Sequence, residues 1–266
     1  EPHWLSSRQG FYTMERNERV DEFPANFLKK IKKEITSFDL RTYPDTHLIY
    51  NEVAKWLKLK NDQIILHEGA DGGLLRVFDV FISGGDKVIT CSPSFAMYPV
   101  YCQMFGVKHF PLKLKVKNYD FFKDLCKNIK TIRPKLVAIA NPNQPIEVML
   151  SLKQIKIICN LAKKYGSLVI IDEAYYHFNN ITAKPLINVC QNLIVVRTFS
   201  KAFGLAGMRI GYTMSNKSII GFMLSIKPIY EINSFNMKLV RLCIKNLNIM
   251  KNYVKEVHKG RKILIN

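Results

Sequence analysis

Short apolar runs rich in Val, Ile and Leu alternate along most of the chain with longer segments whose apolar residues recur every three or four positions. The runs at 63–67, 87–91, 107–112, 135–140 and 167–172 predict strands, and their near-continuous hydrophobicity means that both faces are covered. Between them, helical spacing predicts helices over 47–58, 71–82, 95–105, 119–128 and 151–165. This alternation predicts an α/β domain with a mostly parallel central sheet flanked by helices, and in such a sheet functional residues belong at the C-terminal strand ends. A helix over about 26–37 precedes the pattern; strands at 194–196 and 210–214, a helix at 216–226 and a long apolar-striped helix at 234–257 follow it. The chain thus divides into an N-terminal arm and helix (1–37), a large α/β domain (38–233) and a long C-terminal helix (234–266).

With 266 residues, 48% of them hydrophobic, the chain can bury a sizeable core and is not a disordered sequence. Cys91, Cys102, Cys126, Cys159, Cys190 and Cys243 are scattered through mostly apolar segments without a Cys-x-x-Cys pair. That pattern argues against a zinc or disulfide scaffold and for a reducing, cytoplasmic setting. No metal site is expected. No uncharged apolar stretch reaches the roughly 18 residues that a membrane span needs, and the start has no secretory-signal layout, so a soluble protein is expected. The first residue is not Met, which suggests less than a complete reading frame.

The balance of 40 Lys plus Arg against 21 Asp plus Glu gives a net charge of +19, which would attract nucleic acid, acidic membranes or phosphorylated small molecules. Lys29, Lys30, Lys32 and Lys33 fall on the outer face of a helix whose apolar positions are Phe27, Leu28, Ile31 and Ile35. Lys113, Lys115 and Lys117 alternate with Leu112, Leu114 and Val116, as in an edge strand or a hairpin. Without interleaved aromatic residues or a nucleic-acid module signature, neither nucleic acid nor membrane is expected as a partner, and phosphorylated substrates stay open.

The most specific chemistry lies in residues 194–211, IVVRTFSKAFGLAGMRIG. A buried strand breaks there into small residues around one lysine, Lys201. Desolvation disfavours the ammonium form, so a lysine at such a strand end is a better nucleophile toward a carbonyl than an exposed one. Thr198 and Arg209 flank it with a hydroxyl and a guanidinium, a combination suited to an aldehyde with a phosphate tail. Asp172 ends another apolar strand, where a carboxylate is costly unless it meets a positive partner. The glycine-rich entry Glu68-Gly69-Ala70-Asp71-Gly72-Gly73 offers free backbone N–H groups at a helix start, and Ser92-Pro93-Ser94-Phe95 presents an aromatic ring from a rigid turn.

These segments together resemble the fold-type I pyridoxal-phosphate (PLP) enzymes, class I/II, in the form used by histidinol-phosphate aminotransferases. The resemblance covers roughly residues 14–260. It implies the aspartate aminotransferase-like PLP-dependent transferase fold, with a small C-terminal domain, and its substrate-clamping arginine, beyond Asn266. By position it makes Lys201 the Schiff-base lysine and the proton carrier, has Asp172 keep the pyridine nitrogen protonated, and puts the Tyr175 hydroxyl beside the phenolic oxygen. Ala70, Asp71, Thr198 and Arg209 would hold the phosphate, and Phe95 would stack on the ring. Tyr43, in Tyr43-Pro44-Asp45, would reach the site of the other subunit of a homodimer. Tyr12, Asn17 and Tyr98 are weaker candidates for the substrate pocket, and His177 reads as structural. The segment Asn141-Pro142-Asn143-Gln144-Pro145-Ile146-Glu147 departs from the family's Asn-Pro-Asn-Asn-Pro-Thr-Gly at Gln144, Ile146 and Glu147, so the amide contact to the phenolic oxygen falls to Gln144 or Asn143. The implied activity is amino transfer from an amino acid, glutamate foremost, to a keto acceptor; decarboxylation of a phosphorylated amino acid and a non-catalytic binding module of the same fold are the alternatives.

Overall fold

In the computed structural model, which describes residues 15–115 and 120–265, seven strands form one sheet. In chain order they are β1 (Ile64–His67), β2 (Lys87–Ser92), β3 (Lys108–Lys113), β4 (Leu136–Ala140), β5 (Leu168–Asp172), β6 (Leu193–Thr198) and β7 (Gly211–Met214). Their spatial order is β1-β7-β6-β5-β4-β2-β3. The pairs from β3 through β6 are parallel, and β7 runs antiparallel to both β6 and β1. The expected mostly parallel sheet is therefore present, with β7 the one reversed strand.

Helices cover both faces, as a parallel sheet requires. In chain order they are α1 (Ala25–Glu34), α2 (Ser37–Arg41), α3 (His47–Leu57), α4 (Gly69–Phe81), α5 (Met97–Met104), α6 (Phe121–Ile132), α7 (Leu152–Lys163), α8 (Lys217–Ser225), α9 (Ser234–Lys245) and α10 (Leu247–Ile265). Alternate strand residues feed two cores: Val137, Ile139, Val169, Ile171 and Val195 pack with α3, α6, α7 and α9, whereas Leu136, Ala138, Ile170, Ile194 and Val196 pack with α4, α5 and α8. The six cysteines are free, and all but Cys126 are buried. Among the described residues no helix is long and apolar enough to cross a membrane.

Three elements differ from the sequence pattern, each for a local reason. The helix expected over 26–37 is two: Thr36 is extended and caps α2, its backbone N–H and its hydroxyl both donating to Asp39 Oδ2 at 2.8 and 2.6 Å. Of its expected apolar face only Phe27 is buried, while Leu28 and Ile35 are exposed. The long C-terminal helix breaks at Asn246, whose side chain donates to the Leu242 carbonyl and competes with the backbone ladder. α6 runs on to Ile132 and stops at Arg133, left-handed at φ 51° and followed by Pro134. Lys113 ends β3, an outer strand of the sheet paired in parallel to β2, so an edge and not a hairpin is formed.

The register sets the site. Ala140 pairs with Asp172, Asp172 with Val196, and Thr198 with Gly211, so β4, β5 and β6 end side by side. The segments that follow them carry Asn143, Tyr175 and Lys201.

Candidate active site

Lys201 stands three residues beyond the end of β6, half-buried. Its amine donates to the Arg16 carbonyl at 2.7 Å and lies 5.7 Å from the centroid of the Tyr175 ring. Burial pushes its pKa below the ordinary lysine value, against the opposing pull of Glu18, Asp71 and Asp172, with Arg209 adding to the lowering. A partly desolvated amine whose neutral form is favoured is the nucleophile that carbonyl chemistry needs. The Tyr175 hydroxyl accepts from Asn17 Nδ2 at 2.8 Å, so residues 16 and 17 form a strap over both groups.

Asp172, 4% exposed, accepts from the Ala174 N–H at 3.0 Å and from the Tyr98 hydroxyl at 3.1 Å. Burial raises its pKa to about 6, with Asp71 and Glu173 adding to the rise and the two hydrogen bonds opposing it. It makes no ion pair among the described residues, unlike its neighbour Glu173. A buried carboxylate at a strand end with two neutral donors and no cation is a site that a protonated ring nitrogen would complete. Tyr98, a candidate for the substrate pocket, is instead wholly buried with its hydroxyl on Asp172, so it orients that carboxylate from within the protein.

The anion cradle is assembled from three chain segments. Arg209, left-handed at φ 48°, directs one guanidinium nitrogen to Asp71 Oδ2 at 2.7 Å and the other to the Ser200 hydroxyl at 3.4 Å. The Thr198 hydroxyl donates to Ser200 Oγ at 2.9 Å and accepts from the Ser200 N–H at 3.0 Å. Gly69 opens α4 at φ 68°, and a Cβ there would lie 2.6 Å from the Arg209 guanidinium. A Cβ on Gly211 would lie 2.6 Å from the Gly69 carbonyl carbon, so the α4 start and the β7 start meet backbone to backbone. Below them His67, fully buried, donates from Nδ1 to the Gly69 carbonyl and accepts at Nε2 from Thr213, a tautomer assigned from those partners. Burial lowers its pKa to about 3, so it is neutral. A helix N-terminus, a guanidinium and two hydroxyls converge, which is the donor set of a phosphate site.

Other expected residues fall as follows. Ala70 and Asp71 are in the first turn of α4. Phe95 is half-buried, edge-on to Tyr98 with centroids 5.8 Å apart. Asn143 is buried with its amide donating to Pro93 and Ile146 carbonyls and its oxygen accepting from Ser94, so its side chain serves the loop. Gln144 is exposed, and Glu147 pairs with Arg261 of α10 at 2.7 Å. Tyr43 is 77% exposed and stacks on Tyr230 at 4.2 Å. Tyr12 lies outside the described residues. His177 packs edge-on against Phe203 and, through burial, stays below the usual histidine range at about 4.

Sequence reasoning left three residues unassigned. Ser200 precedes the lysine and ties Thr198 to Arg209; its place in the Ser-Lys pair was the available signal. His67 props the cradle from below, and no sequence signal separates it from a strand-end residue. Glu173 pairs with Arg197 at 2.8 Å, both nearly fully buried, with the guanidinium 3.7 Å over the Tyr176 ring; adjacent acidic residues at a strand end point to opposite faces, one toward the site and one into the core.

The family described as aminotransferase class I and II matches residues 10–265. A histidinol-phosphate aminotransferase of Thermoanaerobacter sp. (strain X514) is 34% identical across 96% of this chain and 72% of its own length. The crystal structure of the histidinol-phosphate aminotransferase from Clostridium acetobutylicum superposes with a TM-score of 0.81 at 26% identity, over 94% of this chain and 74% of that one. The Sinorhizobium meliloti histidinol-phosphate aminotransferase, solved in complex with pyridoxal-5'-phosphate, shares the fold at a TM-score of 0.84 and 21% identity, over 93% of this chain and 68% of that one. The match of family, strand-end lysine and strand-end carboxylate leads to one conclusion: the chain belongs to the class I and II aminotransferases.

Proposed function

We propose that this protein is a PLP-dependent aminotransferase that moves an amino group from glutamate to a phosphorylated keto acceptor, as in histidinol-phosphate aminotransferase. The observation that carries the reading is the pairing of a buried, uncompensated Asp172 with a partly desolvated Lys201 beside a phosphate cradle. When bound, PLP supplies an aldehyde that takes up the donor's nitrogen and a ring that accepts charge from the substrate α-carbon.

Asp172 holds a proton on the ring nitrogen, and the Tyr98 hydroxyl and the Ala174 N–H fix the carboxylate in place for it. Lys201 would anchor the cofactor and, as a free amine, would move the proton at the substrate α-carbon; burial lowers its pKa from the ordinary lysine value, which favours the proton-accepting form. Tyr175 donates to the phenolic oxygen while Asn17 donates to Tyr175, which strengthens the tyrosine as a donor. Arg209, Thr198, Ser200 and the α4 N-terminus take the phosphate, and Phe95 supplies the apolar ring face. The loop commitments of Asn143 favour Gln144 for the remaining amide contact.

The acceptor's phosphate fits the excess of cationic residues and the names of the relatives. Tyr43 reaches a partner subunit in this reading. Its support is a surface on which Phe38, Leu40, Tyr43, Leu48, Ile229 and Tyr230 are all exposed, the kind of apolar area that a second copy covers. The free cysteines favour a cytoplasmic setting. The test is amino transfer by the PLP-loaded protein between L-histidinol phosphate and 2-oxoglutarate, read as glutamate formed. Glutamate formation supports the reading; carbon dioxide release from O-phosphothreonine without glutamate formation would replace it with decarboxylation.

A further inference from the structure

The strap over Lys201 has its own anchor. Asn17 is left-handed at φ 52°, a conformation asparagine tolerates but does not prefer, and residues 15–17 are exposed. Two hydrogen bonds hold the strap to the site, Asn17 to the Tyr175 hydroxyl and Lys201 to the Arg16 carbonyl. Bonds at so exposed a position compete with water and do not fix a segment by themselves. Two residues on, Arg19 is clamped on three sides. Its guanidinium carbon lies 4.6 Å from the Phe23 ring centroid and 4.5 Å from that of Tyr253 on α10, and its Nε donates to the Asp21 carbonyl at 3.0 Å. On the third side, a Cβ built on Gly204 would fall 2.5 Å from Arg19 Cδ, and Gly204 is left-handed at φ 74°. The Gly204 N–H in turn donates to the Lys201 carbonyl at 3.0 Å. Arg19 therefore touches the turn that carries the lysine, the helix α10 and the strap at once.

We infer that Arg19 is a positioning residue that holds the strap across the site, keeping Asn17 on Tyr175 and the Arg16 carbonyl over the Lys201 amine, and that it couples α10 to both through Tyr253. The inference rests on Lys201 as the cofactor lysine. A planar cation between two rings is required for this, so lysine does not replace it. The charges facing Lys201 are Glu18 on the strap, Asp71 on α4, Asp172 at the end of β5 and Arg209 after the glycine turn; Arg19 acts on the strap's position and not as one of them.

The test compares full-length wild type, Arg19→Ala, Arg19→Lys and, from the α10 side, Tyr253→Leu. Amide hydrogen exchange on the protein without cofactor should rise about tenfold over residues 15–19 in Arg19→Ala, the size expected for two lost cation–π contacts, and about threefold in Tyr253→Leu, which loses one. In Arg19→Lys it should not return to the wild-type level. Exchange over 69–75 and 211–214 should not change. After PLP loading, the pH midpoint of the visible band of the lysine-bound cofactor should rise by about 0.7 unit, the size of one lost neutral hydrogen bond at Tyr175, with PLP affinity within about threefold. Asn17→Ala should reproduce the midpoint shift without raising exchange at Arg19. Unchanged exchange in the strap would overturn the anchor, and a freed strap with an unmoved band midpoint would overturn the positioning role. A wild-type protein with no visible band would instead sink the PLP reading, while the exchange comparison still decides whether Arg19 holds the strap.

Discussion

Replacing Asp172 by asparagine should stabilise the cofactor-free protein at alkaline pH and destroy its use of the cofactor. The carboxyl is fully buried and its pKa rises from 3.8 to about 6, because burial disfavours the charged form more than the Tyr98 and Ala174 donors favour it. The folded state therefore binds a proton more tightly than the unfolded chain. Below pH 3.8 both states are protonated and nothing is lost; as pH rises through about 6, the folded state bears the full cost of the buried charge. About two pH units at 1.36 kcal/mol each make that cost roughly 3 kcal/mol. The asparagine side chain would be neutral at every pH, and it leaves either the Tyr98 hydroxyl or the Ala174 N–H short of an acceptor, a constant loss of about 1 kcal/mol. The variant should thus be more stable than wild type by about 2 kcal/mol at pH 8 and slightly less stable at pH 4. Urea unfolding of both proteins across that range, without cofactor, measures the difference. Saturating PLP at pH 8 should then reverse the order, since only the wild type gains a charge partner for Asp172. A stability difference that does not vary with pH would refute the account of this carboxylate.

Lys201→Ala should fold normally yet lose the visible band of the lysine-bound cofactor and at least about a thousandfold in turnover, read by absorbance and steady-state kinetics. Gly69→Ala puts a Cβ against the Arg209 guanidinium at a left-handed position, so PLP affinity measured by equilibrium titration should fall by about tenfold or more, with a stability loss of about 1–2 kcal/mol. Glu173→Gln leaves the buried Arg197 without its charge partner and should cost about 3–5 kcal/mol in chemical denaturation, while kcat at a temperature where the variant is folded changes far less than in Asp172→Asn.

The central sheet was legible because its strands, such as Leu136 to Ala140 and Leu168 to Asp172, are short continuous apolar runs buried on both faces, too short for core helices and alternating with helical segments. The helix ends were less so, since the Asp39 carboxylate accepting from the Thr36 N–H and the Asn246 amide donating to the Leu242 carbonyl are side-chain bonds to nearby backbone that hydrophobic spacing does not register. At the site, Lys201, Tyr175, Thr198, Arg209, Asp71 and Asp172 lie in one neighbourhood although they come from separate segments of the chain. What could not be read is direction. Tyr98 and Phe95 are both aromatic residues after one strand, yet one is buried on Asp172 and the other half-exposed beside it. Asn143 and Gln144 are adjacent amides, and only the fold shows that the first is committed to Pro93 and Ile146. Arg19 escaped because its partners Gly204 and Tyr253 are far away in sequence and its own surroundings are polar.

The most direct measurement is a single turnover on the PLP-loaded protein with L-glutamate and no acceptor, following the visible band and 2-oxoglutarate together. An aminotransferase built on Lys201 and Asp172 converts the band to the pyridoxamine form and releases one 2-oxoglutarate per site, and Lys201→Ala does neither. A wild-type band that persists unchanged with glutamate and every other amino donor, with no keto acid released, would contradict the assignment of amino transfer to this site.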